Sequence, residues 1–242
     1  MKYIYIIKTG ETFQSIEKKH GDFDQWIIDF LGRTNKNIKV ISVLENEKLP
    51  SLKSALGFII TGSHAMVSQE LPWSVKLEKY IQKISIKEVP LLGICYGHQL
   101  IAKALGGKSG FNRKGKEIGK VKINIAKRSR TDPLFQNFPK KFNAFETHYQ
   151  SVLKLPSDAI ILASNFKDKH QAVRYSKNIW GVQFHPEFNK TVMNKYIQNQ
   201  EKNLIKLGFN IETLLNNIDN CHISHKILTN FLNIIEHQDH KL

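Results

Sequence analysis

The cysteine at position 95 lies in the sequence Gly93-Ile94-Cys95-Tyr96-Gly97, between the apolar run 89–94 and a helical pattern. Glycines two residues before and after it permit a tight strand-to-helix turn, which is typical of a nucleophile held at the apex of that turn. The start of the helix favours a thiolate, and the backbone N–H of Tyr96 points to where an oxyanion would form. The pattern predicts a nucleophilic thiol; the alternative is a buried, inert cysteine whose glycines serve only the turn.

A base and a group to orient it follow in the segment GVQFHPEF, residues 181–188. An apolar strand over 179–184 ends at His185, Pro186 sets the direction of the turn, and Glu187 can accept a hydrogen bond from one imidazole nitrogen. Side chains that follow the strands of a parallel sheet meet at the edge where such folds bind ligands. Taken alone, His-Pro-Glu indicates a surface turn. Together with Cys95, it predicts a Cys-His-Glu site.

The elements that must position these residues alternate between strands and helices. Short apolar runs rich in β-branched residues predict strands, and Asp, Pro and Gly at the ends of amphipathic segments predict helix boundaries. The expected strands are 3–7, 38–44, 57–61 and 89–94, and the expected helices are 22–32, 72–84 and 96–107. Buried strands alternating with helices favour a parallel sheet that is covered on both faces.

The middle of the chain has a different pattern. Five short strand-like segments follow one another with little room for helices between them: 118–125, 142–146, 159–164, 171–175 and 179–184. They predict mixed or antiparallel additions to the sheet. From about residue 190 the pattern is helical again. We expect one domain over residues 1–242, with a core of 1–190 and a C-terminal helical extension of 191–242.

Composition limits the classes of protein to consider. The chain has 242 residues, 41% of them hydrophobic, which suits a packed globular protein. Two cysteines, no signal-peptide pattern and no bilayer-length apolar stretch predict a cytoplasmic location without membrane association. The net charge of +15 would suit nucleic acid, but the lysines are dispersed and no nucleic-acid-binding motif accompanies them, which disfavours that partner. The basic stretch 108–122 is expected to form a solvated loop rather than a partner-binding one.

The segment GICYGHQLIAKALGG (93–107) together with GVQFHPEF resembles the class I (triad) glutamine amidotransferases, and the likeness extends over residues 1 to about 190. This resemblance implies a flavodoxin-like three-layer α/β sandwich with a mostly parallel central sheet. It also implies that Cys95 attacks the side-chain amide of glutamine to give a γ-glutamyl thioester and ammonia. His185 would shuttle the protons and Glu187 would orient His185. That chemistry requires no cofactor and no metal.

The same resemblance implies roles for residues around the triad. The oxyanion would be bound by the N–H of Tyr96 and by a backbone N–H in the turn that contains Gly62. Four residues match positions that contact the substrate glutamine in the family: Gln99, His148, Tyr149 and Gln150. Gln150 stands where relatives of GMP synthase have an acid, and a neutral amide lacks the charge to assist an ammonium contact. The alternative for His148 is a packed core histidine.

Three functions fit these observations. The first, which we favour, is a glutaminase that supplies ammonia to a synthetase on a separate chain, because the chain carries no P-loop pattern and is similar to stand-alone GMP synthase-like proteins. The second is a stand-alone hydrolase of γ-glutamyl peptides or amides, which the change at Gln150 also suits. The third is a non-catalytic protein that binds nucleic acid and retains the fold, and the intact Cys95, His185 and Glu187 argue against it.

Overall fold

The computed structural model describes residues 1–32 and 34–239, with eleven strands and eight α-helices in these ranges. The strands are β1 (Tyr3–Lys8), β2 (Asn37–Ser42), β3 (Ala55–Ile60), β4 (Leu91–Ile94), β5 (Lys108–Phe111), β6 (Glu117–Ile125), β7 (Lys141–His148), β8 (Gln150–Lys154), β9 (Ile160–Ser164), β10 (Ala172–Ser176) and β11 (Ile179–Val182). The helices are α1 (Gln14–His20), α2 (Phe23–Leu31), α3 (Pro72–Ile86), α4 (Tyr96–Ala104), α5 (Lys190–Asn199), α6 (Glu201–Lys206), α7 (Ile211–Asn216) and α8 (Lys226–Asp239).

Nine strands form one sheet in the order β2-β1-β3-β4-β11-β10-β9-β6-β7. The first five are parallel, and their order is that of a flavodoxin-like sheet with β11 as the fifth strand. The remaining four add in antiparallel fashion. The predicted α/β class is thus confirmed, including the antiparallel strands in the middle of the chain.

Helices cover both faces of the sheet, so the fold has three layers. Alternate residues of β1 face opposite ways: Ile4 and Ile6 belong to one apolar core, and Tyr5 and Ile7 belong to the other. The first core includes side chains of α2 and α8, and the second includes side chains of α3 and α4. Because strands buried on both faces need apolar residues at every position, β1 reads as one unbroken apolar run.

Three elements were not predicted from the sequence. Helix α1 precedes α2, and strands β5 and β8 pair as a separate two-stranded antiparallel sheet. The expectation that residues 108–122 form a solvated loop is wrong. Both ends of this stretch are strands, which pair with β8 and β7, so that only the residues between Phe111 and Glu117 form a turn.

The C-terminal region is helical, as predicted, within the residues described; positions 240–242 lie outside them. Helix α8 packs into the main core through buried residues such as Phe231 and Ile235. Helix α5 packs instead against Phe23, Trp26 and Phe188 in a third apolar cluster. No helix in the described part of the chain is long and apolar enough to cross a membrane.

Candidate active site

Cys95 lies at the tight turn between β4 and α4, as its sequence pattern predicts. Its backbone has φ 50° and ψ −98°, a region that non-glycine residues rarely adopt. The turn is held on both sides, because the Cys95 N–H donates to the Val182 carbonyl at 2.8 Å and the Cys95 carbonyl accepts from Gln99 N–H at 3.1 Å. The side chain is 5% exposed and lines a cavity. The strained turn thus presents the thiol to a cavity at the start of a helix.

The two glycines of this turn are required by close backbone approach. A Cβ on Gly93 would lie 2.5 Å from the carbonyl carbon of Gly97. A Cβ on Gly97 would lie 2.5 Å from the Ile60 carbonyl oxygen. The turn can therefore close tightly only because Gly93 lacks a side chain, and it can pack against the end of β3 only because Gly97 lacks one.

His185 and Glu187 follow β11, the strand next to β4. The Nδ1 of His185 lies 2.7 Å from Oε1 of Glu187, and both side chains are buried. The other ring nitrogen, Nε2, is buried without a hydrogen bond of good geometry to any described residue. Glu187 therefore fixes the orientation of the ring through its contact with Nδ1.

The imidazole of His185 is favoured in its charged form. Burial alone lowers the pKa, but the charges of Glu187 and Cys95 outweigh it and raise the pKa of His185 to about 10. The ring also stacks on Phe188, with centroids 4.1 Å apart. This environment supports an imidazolium at His185, beside the Cys95 side chain.

The two residues predicted to donate to the oxyanion lie next to Cys95 and His185 respectively. Tyr96 is the first residue of α4, so its N–H has no acceptor within the helix. Gly62 lies in the turn after β3, where an added Cβ would approach Cε1 of His185 to 3.0 Å. Thr9 holds this turn, since its hydroxyl donates to the carbonyl oxygens of Thr61 and Gly62 at 3.0 and 3.2 Å. The two predicted oxyanion donors thus flank the cysteine and histidine.

The cavity has a volume of about 350 Å³. Six of the predicted site residues line it: Cys95, Tyr96, Gln99, His148, Tyr149 and Gln150. The other three, Gly62, His185 and Glu187, are not in its lining but lie directly behind it, since Gly62 contacts His185 and His185 bonds to Glu187.

Gln99 and Gln150 connect the cavity wall to the core. The Nε2 of Gln99 donates to the backbone carbonyl of Gln150 at 2.7 Å and to Oε1 of Gln183 at 3.0 Å. Both ends of the Gln150 amide bind Ser68: Oε1 accepts from its N–H at 3.3 Å, and Nε2 donates to its hydroxyl. Gln150 consequently holds the cavity wall in place, and its amide would have to release Ser68 to contact a substrate ammonium.

His148 lines the cavity and also belongs to a buried charged cluster. Its Nδ1 lies 2.9 Å from the Gln150 carbonyl oxygen, and its Nε2 lies 2.8 Å from Glu146 and 3.4 Å from Glu117. Burial opposes the charge on His148, yet Glu146 and Glu117 raise its pKa well above the ordinary value. Burial raises the pKa of Glu146 to about 7. His148 is therefore a buried histidine that also lines the cavity, and its contact with substrate stays a prediction.

This cluster is also where a metal ion would find ligands. Single ligand atoms of Glu117, Glu146 and His148 lie within 4.8 Å of one another, and all three residues are buried. An imidazolium at His148 offsets the charge of one of the two carboxylates. His148 and Glu146 thus form a buried ion pair, with Glu117 as a second carboxylate beside it.

Sequence patterns missed several residues of the cavity wall. Phe13, His64, Lys116 and the pair Gln200 and Asn203 come from four separate segments of the chain. Burial lowers the pKa of His64, which favours its neutral form. The one sequence feature that could have pointed to any of them is the basic stretch 108–122, which contains Lys116. The composition of that stretch, however, indicates a solvated loop rather than a cavity wall.

Comparison with known proteins decides the family. A family model for class-I glutamine amidotransferases matches residues 19–205. The chain belongs to this family. The sequence resemblance is thereby confirmed, and so is the assignment to a class of enzymes.

The curated relatives include two groups with different names. γ-Glutamyl peptidase 4 from Arabidopsis thaliana is 29% identical over 196 residues, covering 79% of this chain and 78% of the relative. A glutamine-hydrolysing GMP synthase subunit from Saccharolobus solfataricus is 34% identical over 174 residues, covering 71% of this chain and 87% of the relative. The two groups match the first two functions that the sequence left open.

Solved structures agree on the fold. A glutamine amidotransferase from Thermotoga maritima superposes with a TM-score of 0.77 at 23% identity, covering 97% of both chains. A glutamine amidotransferase from Methylobacillus flagellatus gives a TM-score of 0.79 at 20% identity, covering 98% of this chain and 95% of the other. At these identities the comparison establishes the common fold alone.

Proposed function

We propose that this class I amidotransferase hydrolyses γ-glutamyl amide bonds, with Cys95 as nucleophile, His185 as acid and base, and Glu187 as the residue that orients His185. The observation that carries the proposal is the strained turn at Cys95 next to a buried His185–Glu187 pair. A thiol, a base within reach and an orienting carboxylate are the three groups that thiol acyl transfer needs.

The reaction begins with His185 as imidazolium, the form that its surroundings favour. The Cys95 thiolate attacks the γ-carbonyl carbon, and the negative charge moves to the carbonyl oxygen, near the N–H groups of Tyr96 and Gly62. The imidazolium of His185 gives a proton to the amide nitrogen, the C–N bond breaks, and a γ-glutamyl thioester remains on Cys95. Neutral His185 then takes a proton from water, which attacks the thioester and releases glutamate.

L-Glutamine is the substrate that we place first. The leaving group is then ammonia, and we propose that a synthetase on a separate chain consumes it. Support comes from the relatives named as GMP synthase subunits, which are 33–34% identical to this chain. Substrate contacts are proposed for Gln99, His148, Tyr149 and Gln150, which all line the cavity. Both cysteines are free, which suits the reducing cytoplasm where we place the reaction.

A γ-glutamyl peptide is the second candidate substrate. One observation favours it: the cavity extends from Cys95 to Gln200 and Asn203 at the C-terminal helices, so it offers polar groups beyond the scissile bond. Relatives named as γ-glutamyl peptidases support the same reaction. The chemistry up to the thioester is identical, and only the leaving group differs.

The test measures ammonia and amine release from L-glutamine, γ-glutamyl amides and γ-glutamyl peptides, with Cys95→Ala as the matched inactive variant. We expect turnover in the wild type and at least about a thousandfold less in the variant, since no other nucleophile replaces the thiolate. The preferred leaving group decides between the two substrates. Equal rates in wild type and Cys95→Ala would remove Cys95 as the nucleophile.

A further inference from the structure

Lys116 lies in the turn between β5 and β6, and its side chain lines the cavity that contains Cys95. It is only 6% exposed, although lysine is rarely buried to this extent without a partner. Its Nζ lies 3.9 Å from the centroid of the Tyr149 ring, and its backbone carbonyl accepts a hydrogen bond from Lys167 Nζ at 2.8 Å. The side chain is therefore held against one wall of the cavity.

The ammonium of Lys116 has no counter-ion. Across residues 1–32 and 34–239, no carboxylate lies within salt-bridge distance of its Nζ, whereas the partly buried Lys8 and Lys103 each contact two carboxylates. Burial lowers the pKa of Lys116 to about 8, and the negative charge of Cys95 only partly offsets this effect. A buried charge without a partner is costly, and an anion that enters the cavity would remove that cost.

The other polar residues of the cavity cannot supply such a free positive charge. The charge on His148 is already balanced by Glu146, and burial favours neutral His64. Gln99 and Gln150 are neutral, and their amides are engaged by protein groups. Among the cavity-lining residues that the structure describes, Lys116 is thus the one cation that remains available to an anionic ligand.

We propose that Lys116 is a substrate-binding residue that pairs with a carboxylate of the γ-glutamyl substrate. This inference rests on the proposed function for the identity of the substrate. Every γ-glutamyl compound carries an α-carboxylate, and a γ-glutamyl amino acid carries a second carboxylate on its leaving group. A carboxylate that displaces the contact with the Tyr149 ring would form a charge-assisted hydrogen bond with Lys116.

Binding is measured calorimetrically in the Cys95→Ala protein, where no ligand is consumed, with L-glutamine, γ-glutamylglycine and γ-glutamylglycinamide. Adding Lys116→Met is expected to weaken binding of the affected ligands by about 10- to 100-fold, the effect of losing one hydrogen bond to a charged group. Lys116→Arg retains the charge and should restore most of the affinity. Lys114→Met is the matched control, because Lys114 lies exposed in the same turn and outside this cavity.

The three ligands separate the two carboxylates. A loss with γ-glutamylglycine alone assigns Lys116 to the leaving-group carboxylate, and a similar loss with all three assigns it to the α-carboxylate. Equal affinities with and without Lys116→Met would overturn the inference and leave the proposed reaction standing. If binding depended on Lys116 but the wild type showed no turnover, the proposed reaction would be overturned and the inference about Lys116 would stand. If the Cys95→Ala protein bound none of the three ligands, the inference would be overturned as well.

Discussion

Gly97 is the point where the turn at Cys95 packs against the end of β3. Replacing Gly97 with alanine therefore tests whether this close packing holds the site in place. In the structure an added Cβ would lie 2.5 Å from the Ile60 carbonyl oxygen and 2.9 Å from the Ile60 Cβ. Neither is the flexible end of a side chain, so the backbone itself must move. Because Gly97 N–H also donates to the Thr61 carbonyl at 3.3 Å, this movement would separate Cys95 from the turn that contains Gly62.

The size of the movement sets the expected effect. Unstrained carbon contacts lie at about 3.5–4 Å, so relieving the clash requires a displacement of roughly 1 Å. Misplacing reacting groups by that distance costs about 100-fold in rate. Overpacking of a well-packed interior costs about 1–3 kcal/mol, which corresponds to a decrease in Tm of roughly 2–12 °C for a chain of this length.

The assay combines kcat/KM for the preferred γ-glutamyl substrate, the rate of Cys95 alkylation by iodoacetamide, and thermal melting. Gly32→Ala is the control, since Gly32 has a helical φ of −61° and its added Cβ would come no closer than 3.2 Å to any atom. We expect Gly97→Ala to lose about 100-fold in kcat/KM and the control to stay near wild type. Wild-type kcat/KM and Tm in Gly97→Ala would refute the steric explanation for this glycine.

Two further predictions concern the charge pair and the C-terminal helix. Replacing Glu187 with Gln should lower kcat/KM by roughly 10²–10⁴-fold, because His185 loses the carboxylate that orients it. Because the pKa of His185 is raised, its charged form stabilises the fold fully below about pH 6.5, and this stabilisation is lost as pH rises through about 10. The difference in Tm between wild type and Glu187→Gln should therefore narrow over that range. A constant difference in Tm would contradict this prediction. Phe231→Ala in α8 should lower the free energy of unfolding by about 3–5 kcal/mol in denaturant titration, because Phe231 is fully buried against Trp180. Ile86→Ala, at a side chain that is 78% exposed, should change it little, and comparable losses in both variants would contradict the position of α8 in the core.

The sequence predicted the parallel half of the sheet and the turn at Cys95 because their signals are local. A buried parallel strand must be apolar at every position, and a strand-to-helix turn with a backbone contact must have glycine at fixed distances. Short segments of sequence were therefore enough to assign β1, β3 and β4 as strands. The same holds for the turn that Gly93 and Gly97 define.

The same local logic failed for elements whose structure depends on distant partners. Residues 108–122 are basic and glycine-containing, which indicates a loop when the stretch is taken alone. Segment 118–125 was itself predicted as a strand, but pairing with β8 also made a strand of Lys108–Phe111, and this partner cannot be inferred from the basic stretch itself. Because β propensity depends on the neighbouring strands, tertiary context overrode the composition here.

The sequence by itself was enough to predict the reactive residues, since Cys95, His185 and Glu187 stand out by residue type, spacing and their places after strands. The tertiary structure decided what surrounds them. The cavity wall joins Phe13, Lys116 and Gln200 from segments roughly a hundred residues apart, and no periodic pattern links such positions. Only the folded chain removes Lys116 from water beside Cys95 without a carboxylate partner. Burial and pairing are properties of the packed molecule, and these properties determine which substrate charges the site can accept.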